Sequence, residues 1–149
     1  AVRSLAPGFI VTSSLPPAIV GAALESVRIV KSAVDLRRRH QDRAARLKAR
    51  LAEHGFPLLP STTHIVPVLV GCPMRAKRIC DDLMMEHGIY VQPINYPTVP
   101  RGSERLRLTP SPQHTDAQIE AFVSGLRAVW KNASATVRDR AMSEWISAQ

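Results

Sequence analysis

Between Gln92 and Gly102 the chain reads Gln92-Pro93-Ile94-Asn95-Tyr96-Pro97-Thr98-Val99-Pro100-Arg101-Gly102, with three prolines. Each proline fixes its own backbone torsion and removes an amide donor, so neither a helix interior nor a central strand accommodates the run. The segment from Pro93 to Gly102 must be a shaped loop, preset at low entropic cost, of the kind useful where a substrate meets a fixed surface. Directly after it, Arg105-Leu106-Arg107-Leu108-Thr109 alternates polar and apolar residues, the pattern of a half-buried strand. Arg105 and Arg107 then share one side. If that side lines a cleft, a guanidinium fork there can hold a carboxylate at two points. The plain alternative is a solvated edge strand with both arginines in water.

The rest of the chain supplies helices and two further short strands. Pro16-Pro17 ahead of an Ala-, Ile-, Val- and Leu-rich stretch predicts a helix starting near Pro17. Ser32 with Asp35 resembles a weak capping box, so two helices, or one bent near Ser32, are expected before Gly55, a left-handed stop. In the second, Leu36, His40, Ala44 or Arg43, Leu47 and Leu51 recur at helical spacing and leave Arg38, Arg39, Arg46 and Arg50 on the other faces. Ile65 to Val70 reads as a strand that Pro67 confines to a sheet edge or a bulge. Met74 to His87 reads as a helix stopped by Gly88, and Ile89-Tyr90-Val91 as a short strand. Thr115 and Gln118 form a capping box that opens a helix through about Trp130, and Ser134 to Gln149 could add a terminal helix docked by Trp145 and Ile146. This order predicts an α+β fold, a small, mainly antiparallel sheet with helices packed on one face.

At 149 residues the chain is the size of one domain and short for a complete cofactor enzyme. No apolar run approaches the ~18 residues of a membrane span, so a soluble domain with no membrane partner is expected. Cys72 and Cys80 have no second pair and fit neither a disulfide framework nor a zinc site, which points to a reducing compartment and no metal. The net charge of +8 invites a nucleic-acid reading, yet nine of twenty basic residues lie between Arg28 and Arg50. With few aromatics and no groove-reading motif beside them, a solvated helix face is the better account and no nucleic acid is expected. The opening Ala1-Val2-Arg3-Ser4-Leu5 lacks an initiator Met and a signal-like order, so the chain is expected to enter in the middle of a longer protein.

Four segments then act together. They are Phe9-Ile10-Val11-Thr12-Ser13-Ser14-Leu15-Pro16-Pro17, Ser61-Thr62-Thr63-His64-Ile65-Val66-Pro67-Val68, His87 through Gly102, and Leu106-Arg107-Leu108-Thr109-Pro110-Ser111-Pro112. In order and spacing, over about residues 2 to 131, this series resembles the 5-aminolevulinate synthases, α-oxoamine synthases among the fold-type I pyridoxal-phosphate enzymes. The resemblance implies residues 1–31 as a connecting segment and helix from a large cofactor domain and 32–131 as the C-terminal α+β domain; residues 132–149 lie outside it and are read as a helical C-terminal tail. It implies pyridoxal 5′-phosphate as cofactor and glycine and succinyl-CoA as substrates. It also implies a homodimer with shared active sites, located in a bacterial cytoplasm or, in a eukaryote, the mitochondrial matrix.

By the same resemblance Arg107 pairs with the glycine carboxylate and Thr98 binds substrate at the succinyl-CoA pocket. Thr12 and Ser13 reach the cofactor phosphate of the other subunit. Ser13 stands where the family usually has Thr and Val11 where it usually has Phe; the hydroxyl survives. The plain reading of Thr12 to Ser14 is helix capping. The family's cofactor-bearing lysine would lie about 17 residues before Ala1 by the family's spacing, and Lys31, Lys48, Lys77 and Lys131 are read as surface residues. The chain therefore carries no catalytic residue of its own and is expected to be inactive alone. Other readings are another acyl-CoA:amino acid acyltransferase of the same fold, or a free-standing basic binding module. Cys72-Pro73 resembles a haem-regulatory dipeptide but is read as chance, His87 as a cation at a helix end, His64 as a packed side chain, and Met84-Met85 as core filling.

Overall fold

The computed structural model describes residues 15–147, with side chains through Ala133. The chain divides into two compact units, residues 1–37 and 38–149. In the first, helix α1 (Pro17–Ser32) starts with proline in its first turn, as the sequence predicts. Ile19, Val20, Leu24, Val27 and Val30 are all exposed and none of its residues is buried. Ser32 does not cap the next helix. Its hydroxyl turns back to the Arg28 and Ile29 carbonyls at 3.2 and 3.1 Å, because a serine at a helix end can satisfy carbonyls of the turn it closes.

Helix α2 (Val34–Glu53) carries the chain into the second unit, where Ala44, Leu47 and Leu51 form its buried stripe and His40 is half-buried. It ends in a wound-back turn, Phe56 N–H bonding to the Leu51 carbonyl at 3.1 Å, with Gly55 left-handed at φ 73°. Strand β1 (Val66–Leu69), helix α3 (Pro73–His87), strands β2 (Gln92–Ile94) and β3 (Arg105–Leu108), and helix α4 (Asp116–Ser147) complete the unit. The sheet is antiparallel, in the order β1-β3-β2.

Both prolines of the sheet sit in outer strands. The Pro67 carbonyl points away from β3 and accepts the Leu59 N–H at 3.0 Å, so its missing amide donor also faces outward. Pro93 lies opposite Leu106 in β2, three residues later than the Ile89-Tyr90-Val91 strand the sequence suggested. Proline lowers strand propensity but does not forbid an edge, and pairing with β3 outweighs it. Val66, Val68, Leu106 and Leu108 all point to one face, where Ile79, Leu83, Val123, Leu126 and Val129 of α3 and α4 complete a single core. The opposite face, made of Pro67, Leu69, Gln92, Ile94, Arg105 and Arg107, holds no buried residue.

Helix α4 opens with the expected capping box: Thr115 Oγ1 accepts the Gln118 N–H at 3.2 Å and Gln118 Oε1 accepts the Thr115 N–H at 2.9 Å. It continues past Trp130 as one helix to Ser147 rather than breaking into a separate tail helix, since residues 131 to 147 contain neither Gly nor Pro. The docking role expected of Trp145 and Ile146 lies outside the described side chains. Met84 and Met85 are not core; they are 46% and 84% exposed, because Ala76, Ile79, Cys80 and Leu83 take the inward stripe of α3. Arg75 lies over the Trp130 ring at 4.4 Å and Phe56 meets the same ring edge-on at 5.2 Å, tying α3 to α4.

The basic stretch of α2 is partly consumed inside the fold. Arg43 and Arg46 pair with Asp116, and Arg50 binds Glu120 through two bonds of 2.7 Å and also pairs with Glu53. Asp116 and Glu120 sit in the first turns of α4, where negative charge is also favoured by the helix dipole. The Arg50 hydrogen bond holds the Glu120 carboxyl below the usual carboxylate range. A carboxyl lowered on folding contributes stability above its unfolded pKa of about 4.3 and loses it as pH falls through the folded value. Glu120→Gln is thus expected to lower the thermal midpoint at pH 7, with the gap to the native chain closing as pH drops below the carboxylate range. A gap that stays constant down to pH 2 would assign the loss to packing instead.

Candidate functional site

A cleft of about 570 Å³ opens where the residues after α3, the end of β3 and the first turns of α4 converge. Its floor is apolar, with Leu47, Ile119 and Phe122, and its polar groups come from Tyr90, Gln92, Arg107, Thr109, His114 and Gln118. A mostly apolar hollow with a few convergent polar groups is the usual form of a small-molecule site. A second hollow, in the first unit, is bordered by Ser26, Val27, Val30, Lys31 and Arg37 and brings no carboxylate or nucleophile together.

Arg107 is the group in the cleft best suited to bind an anion. The alternation of β3 buries Leu106 and Leu108 and leaves Arg107 exposed on the open face, with Pro67 and Gln92 as its cross-strand neighbours. Among the described residues its guanidinium makes no hydrogen bond and no ion pair. Arg105 differs: it is half-buried, and its Nε donates to the Ser103 carbonyl at 2.9 Å. Two arginines that the sequence places on one side are thus in unequal states, one tied to backbone and one with its fork available.

Next to Arg107, the Tyr90 hydroxyl donates to Gln92 Oε1 at 2.7 Å and Gln92 Nε2 donates to the Pro93 carbonyl at 3.3 Å, so the amide is held at both ends. Neither residue was singled out in the sequence. Gln92 could have been found by its register with Arg107, had β2 been placed correctly. His114 was missed as well: its Nδ1 accepts the Ser111 N–H at 2.8 Å, holding the turn between β3 and α4 at the cleft's rim.

Thr98 does not line this cleft. It is exposed in the loop beyond β2, where its N–H bonds to the Asn95 carbonyl at 3.0 Å, next to a cis Tyr96–Pro97 bond and the Arg101 side chain stacked 4.9 Å over Tyr96. Thr12 and Ser13 lie outside the described residues. Of the lysines, Lys48 is not a free surface group, since Nζ donates to the Ser61 and Thr63 carbonyls at 2.7 and 2.8 Å and so ties α2 to the loop before β1. Lys77 pairs with Asp81, and Lys31 and Lys131 are exposed.

Other candidates carry no chemistry. Burial pushes the Cys80 thiol up to about 11, which keeps it protonated and unreactive near neutrality. His40 and His64 stack at 4.5 Å, with His40 Nε2 2.9 Å from the Pro110 carbonyl, a packing contact as expected for His64. The His87 ring packs against α4 at Gly125, where an added Cβ would come within 3.1 Å of it. No group of three or more His, Cys, Asp or Glu side chains able to hold a metal occurs among the described residues. Nor is any helix among them long and apolar enough to cross a membrane.

Comparison with known proteins narrows the chemistry. Residues 1–126 match the family model for aminotransferase class I and II. The chain is 50% identical over 143 residues to the 5-aminolevulinate synthase of Bradyrhizobium diazoefficiens, covering 96% of this chain and 35% of that protein. It is 51% identical over 134 residues to 5-aminolevulinate synthase 1 of Cereibacter sphaeroides, covering 90% and 33%. A serine palmitoyltransferase from S. paucimobilis with a bound PLP–myriocin aldimine superposes with a TM-score of 0.82 at 31% identity, over 91% of this chain and 34% of that one. The chain therefore spans about a third of the length of the relatives it matches.

Proposed function

Since the chain belongs to the aminotransferase class I and II family and stands among its α-oxoamine synthases of fold type I, we propose that it is the C-terminal part of a 5-aminolevulinate synthase. The reaction joins glycine to succinyl-CoA, giving 5-aminolevulinate, carbon dioxide and CoA, for tetrapyrrole and haem synthesis. The identity of about 50% to 5-aminolevulinate synthases, against 31% to a serine palmitoyltransferase, favours this member over its siblings. The observation that carries the reading is Arg107, a guanidinium on the open sheet face at a cleft, with no partner among the described residues.

Arg107 would bind the glycine carboxylate through its two-point fork and so fix the orientation of the amino acid. Holding a reactant in one geometry lowers the barrier of the chemical step as well as the binding constant. The Thr98 hydroxyl would donate to a carboxylate or thioester oxygen of succinyl-CoA; the exposed loop leaves it free to do so. Pyridoxal phosphate, the cofactor of the complete enzyme in this reading, supplies an electron sink. The described residues do not form its cradle: the lysines are held by carbonyls or by Asp81, or stand exposed on helices, and none lines the cleft. No step is assigned to the cofactor on this chain, whose part is to bind and orient substrate. Thr12 and Ser13 would give hydroxyls to the cofactor phosphate across a homodimer. In keeping with this, the apolar surface of α1 would be covered by the remainder of the enzyme. The location that goes with this reading is a bacterial cytoplasm, or the mitochondrial matrix of a eukaryote.

Three tests follow from these assignments. Purified alone, the 149-residue chain should make no 5-aminolevulinate from glycine and succinyl-CoA with pyridoxal phosphate added; turnover by the chain itself would overturn the division of labour. In the full-length protein, Thr12→Val with Ser13→Ala should weaken cofactor retention, each lost charge-assisted bond being worth about 1.5–3 kcal/mol. Unchanged retention on dialysis would return both residues to helix capping. With succinyl-CoA saturating, Arg107→Leu should lower catalytic efficiency for glycine by roughly 2–5 kcal/mol equivalent, Arg107→Lys by less, and Arg105→Leu least. The reverse order for the two leucine variants would place the carboxylate elsewhere, and a product other than 5-aminolevulinate would move the assignment to a sibling acyltransferase.

A further inference from the structure

Among the described residues Glu104 is the one buried charged side chain, 2% exposed, and nothing in the substrate contacts of Arg107 or Thr98 uses it. It is bonded at both ends. Its carboxyl Oε2 accepts the Gly102 N–H at 2.9 Å, and its backbone carbonyl accepts two donors, Val70 N–H at 2.8 Å and Gly71 N–H at 3.0 Å. The first bond closes the proline-rich loop onto the residue before β3. The second pair extends the β1–β3 ladder one step beyond its last paired rung, Leu69 with Arg105.

The turn so closed has little slack. Gly102 sits at φ 81°, a left-handed conformation that points its amide at the carboxyl, and its carbonyl lies 3.4 Å from where a Cβ on Gly71 would stand. Within the same turn Ser103 N–H and Oγ–H both donate to the Pro100 carbonyl, at 3.1 and 2.6 Å, and the Ser103 carbonyl holds Arg105. Four residues upstream of Gly102 is Thr98. Three residues downstream of Glu104 is Arg107, whose rung is set by where β3 begins. A one-residue slip there would exchange the open and buried faces and drive Arg107 into the core.

We infer that Glu104 is a positioning residue that, by gripping Gly102 with its carboxyl and the β1–α3 turn with its carbonyl, fixes the proline-rich loop relative to β3 and so sets the separation of Thr98 from Arg107. The inference rests on the reading of those two residues as substrate ligands. A distance between two ligand groups on one fixed frame acts on both substrates together. Loosening it therefore raises both Michaelis constants, whereas a loss of stability alone lowers the amount of active enzyme.

The test uses the full-length protein with its cofactor. Glu104→Gln retains a carbonyl acceptor at the same reach, Glu104→Asp retains the carboxyl but withdraws it by one carbon, and Glu104→Ala removes it. The Michaelis constants for glycine and succinyl-CoA are measured against kcat, with amide hydrogen exchange of residues 98–103 followed in the same preparations. Aspartate and alanine variants should raise both constants by roughly tenfold and speed exchange at Gly102, while glutamine stays within about twofold of the native protein. Glutamine as impaired as alanine would overturn the inference, because charge rather than the grip would then matter. So would a lowered thermal midpoint with both constants and the exchange unchanged. Should alanine fail to fold, the aspartate–glutamine contrast decides alone. If the native full-length protein does not condense glycine with succinyl-CoA, the proposed function fails by itself; the exchange contrast still decides the placement, unchanged exchange in the aspartate variant overturning it.

Discussion

Strand β3 pairs on both edges, with β1 on one side and β2 on the other, and the alternation of its four residues sets nearly everything else in the second unit. Leu106 and Leu108 point inward, where α3 and α4 can bury them only from that face. That orientation leaves Arg107 no alternative to the open side. The same hydrophobic burial that assembles the core, worth roughly 1.5–3 kcal/mol per large aliphatic side chain, thus also presents the guanidinium. The candidate site is a by-product of register, and the strand's neighbours need only hold that register steady.

Charge is organised by a separate constraint. The arginines of α2 meet Asp116, Glu120 and Glu53, so the feature of the composition that most suggested an anionic partner is partly answered within the fold. Exposed pairs of this kind add little each. The effect of the pairs with Asp116 and Glu120 is directional: they join the basic helix to the start of α4, beside the turn in which His114 and Ser111 shape the cleft rim. A binding module built on the basic stretch would need those guanidinium groups for its ligand, and three of them already have carboxylates.

Where the sequence was legible, a local rule and the tertiary fold agreed. The Thr115–Gln118 capping box, the stops at Gly55 and Gly88, the edge placement of Pro67 and the alternation of β3 are each decided within a few residues, and the fold keeps them. Where it was not, a partner distant in the chain decided. Pro93 looked like a loop residue until Leu106 lay opposite it, so β2 formed three residues late and hid Gln92 from view. Lys48 looked like a surface residue until the carbonyls of Ser61 and Thr63 came within its reach. Hydrophobicity alone reads Met84 and Met85 as core filling, yet helical phase turns both outward. Of the site residues, Arg107 could be placed on its face from sequence, but its lack of a partner, and Arg105's possession of one, could not.

Both outer strands of the small sheet carry a proline, Pro67 in β1 and Pro93 in β2. Along β1 the segment Pro57–Leu59 also occupies the outward-facing groups, with Leu69 N–H bonded to the Pro57 carbonyl at 2.8 Å. A foreign strand arriving from either side therefore meets an interrupted row of donors and finds no template on which to add itself. A sheet this narrow stays narrow: growth by edge-to-edge association, a standing hazard for short antiparallel sheets with one open face, is blocked at both margins by the residues that gave the sequence its loop-like look.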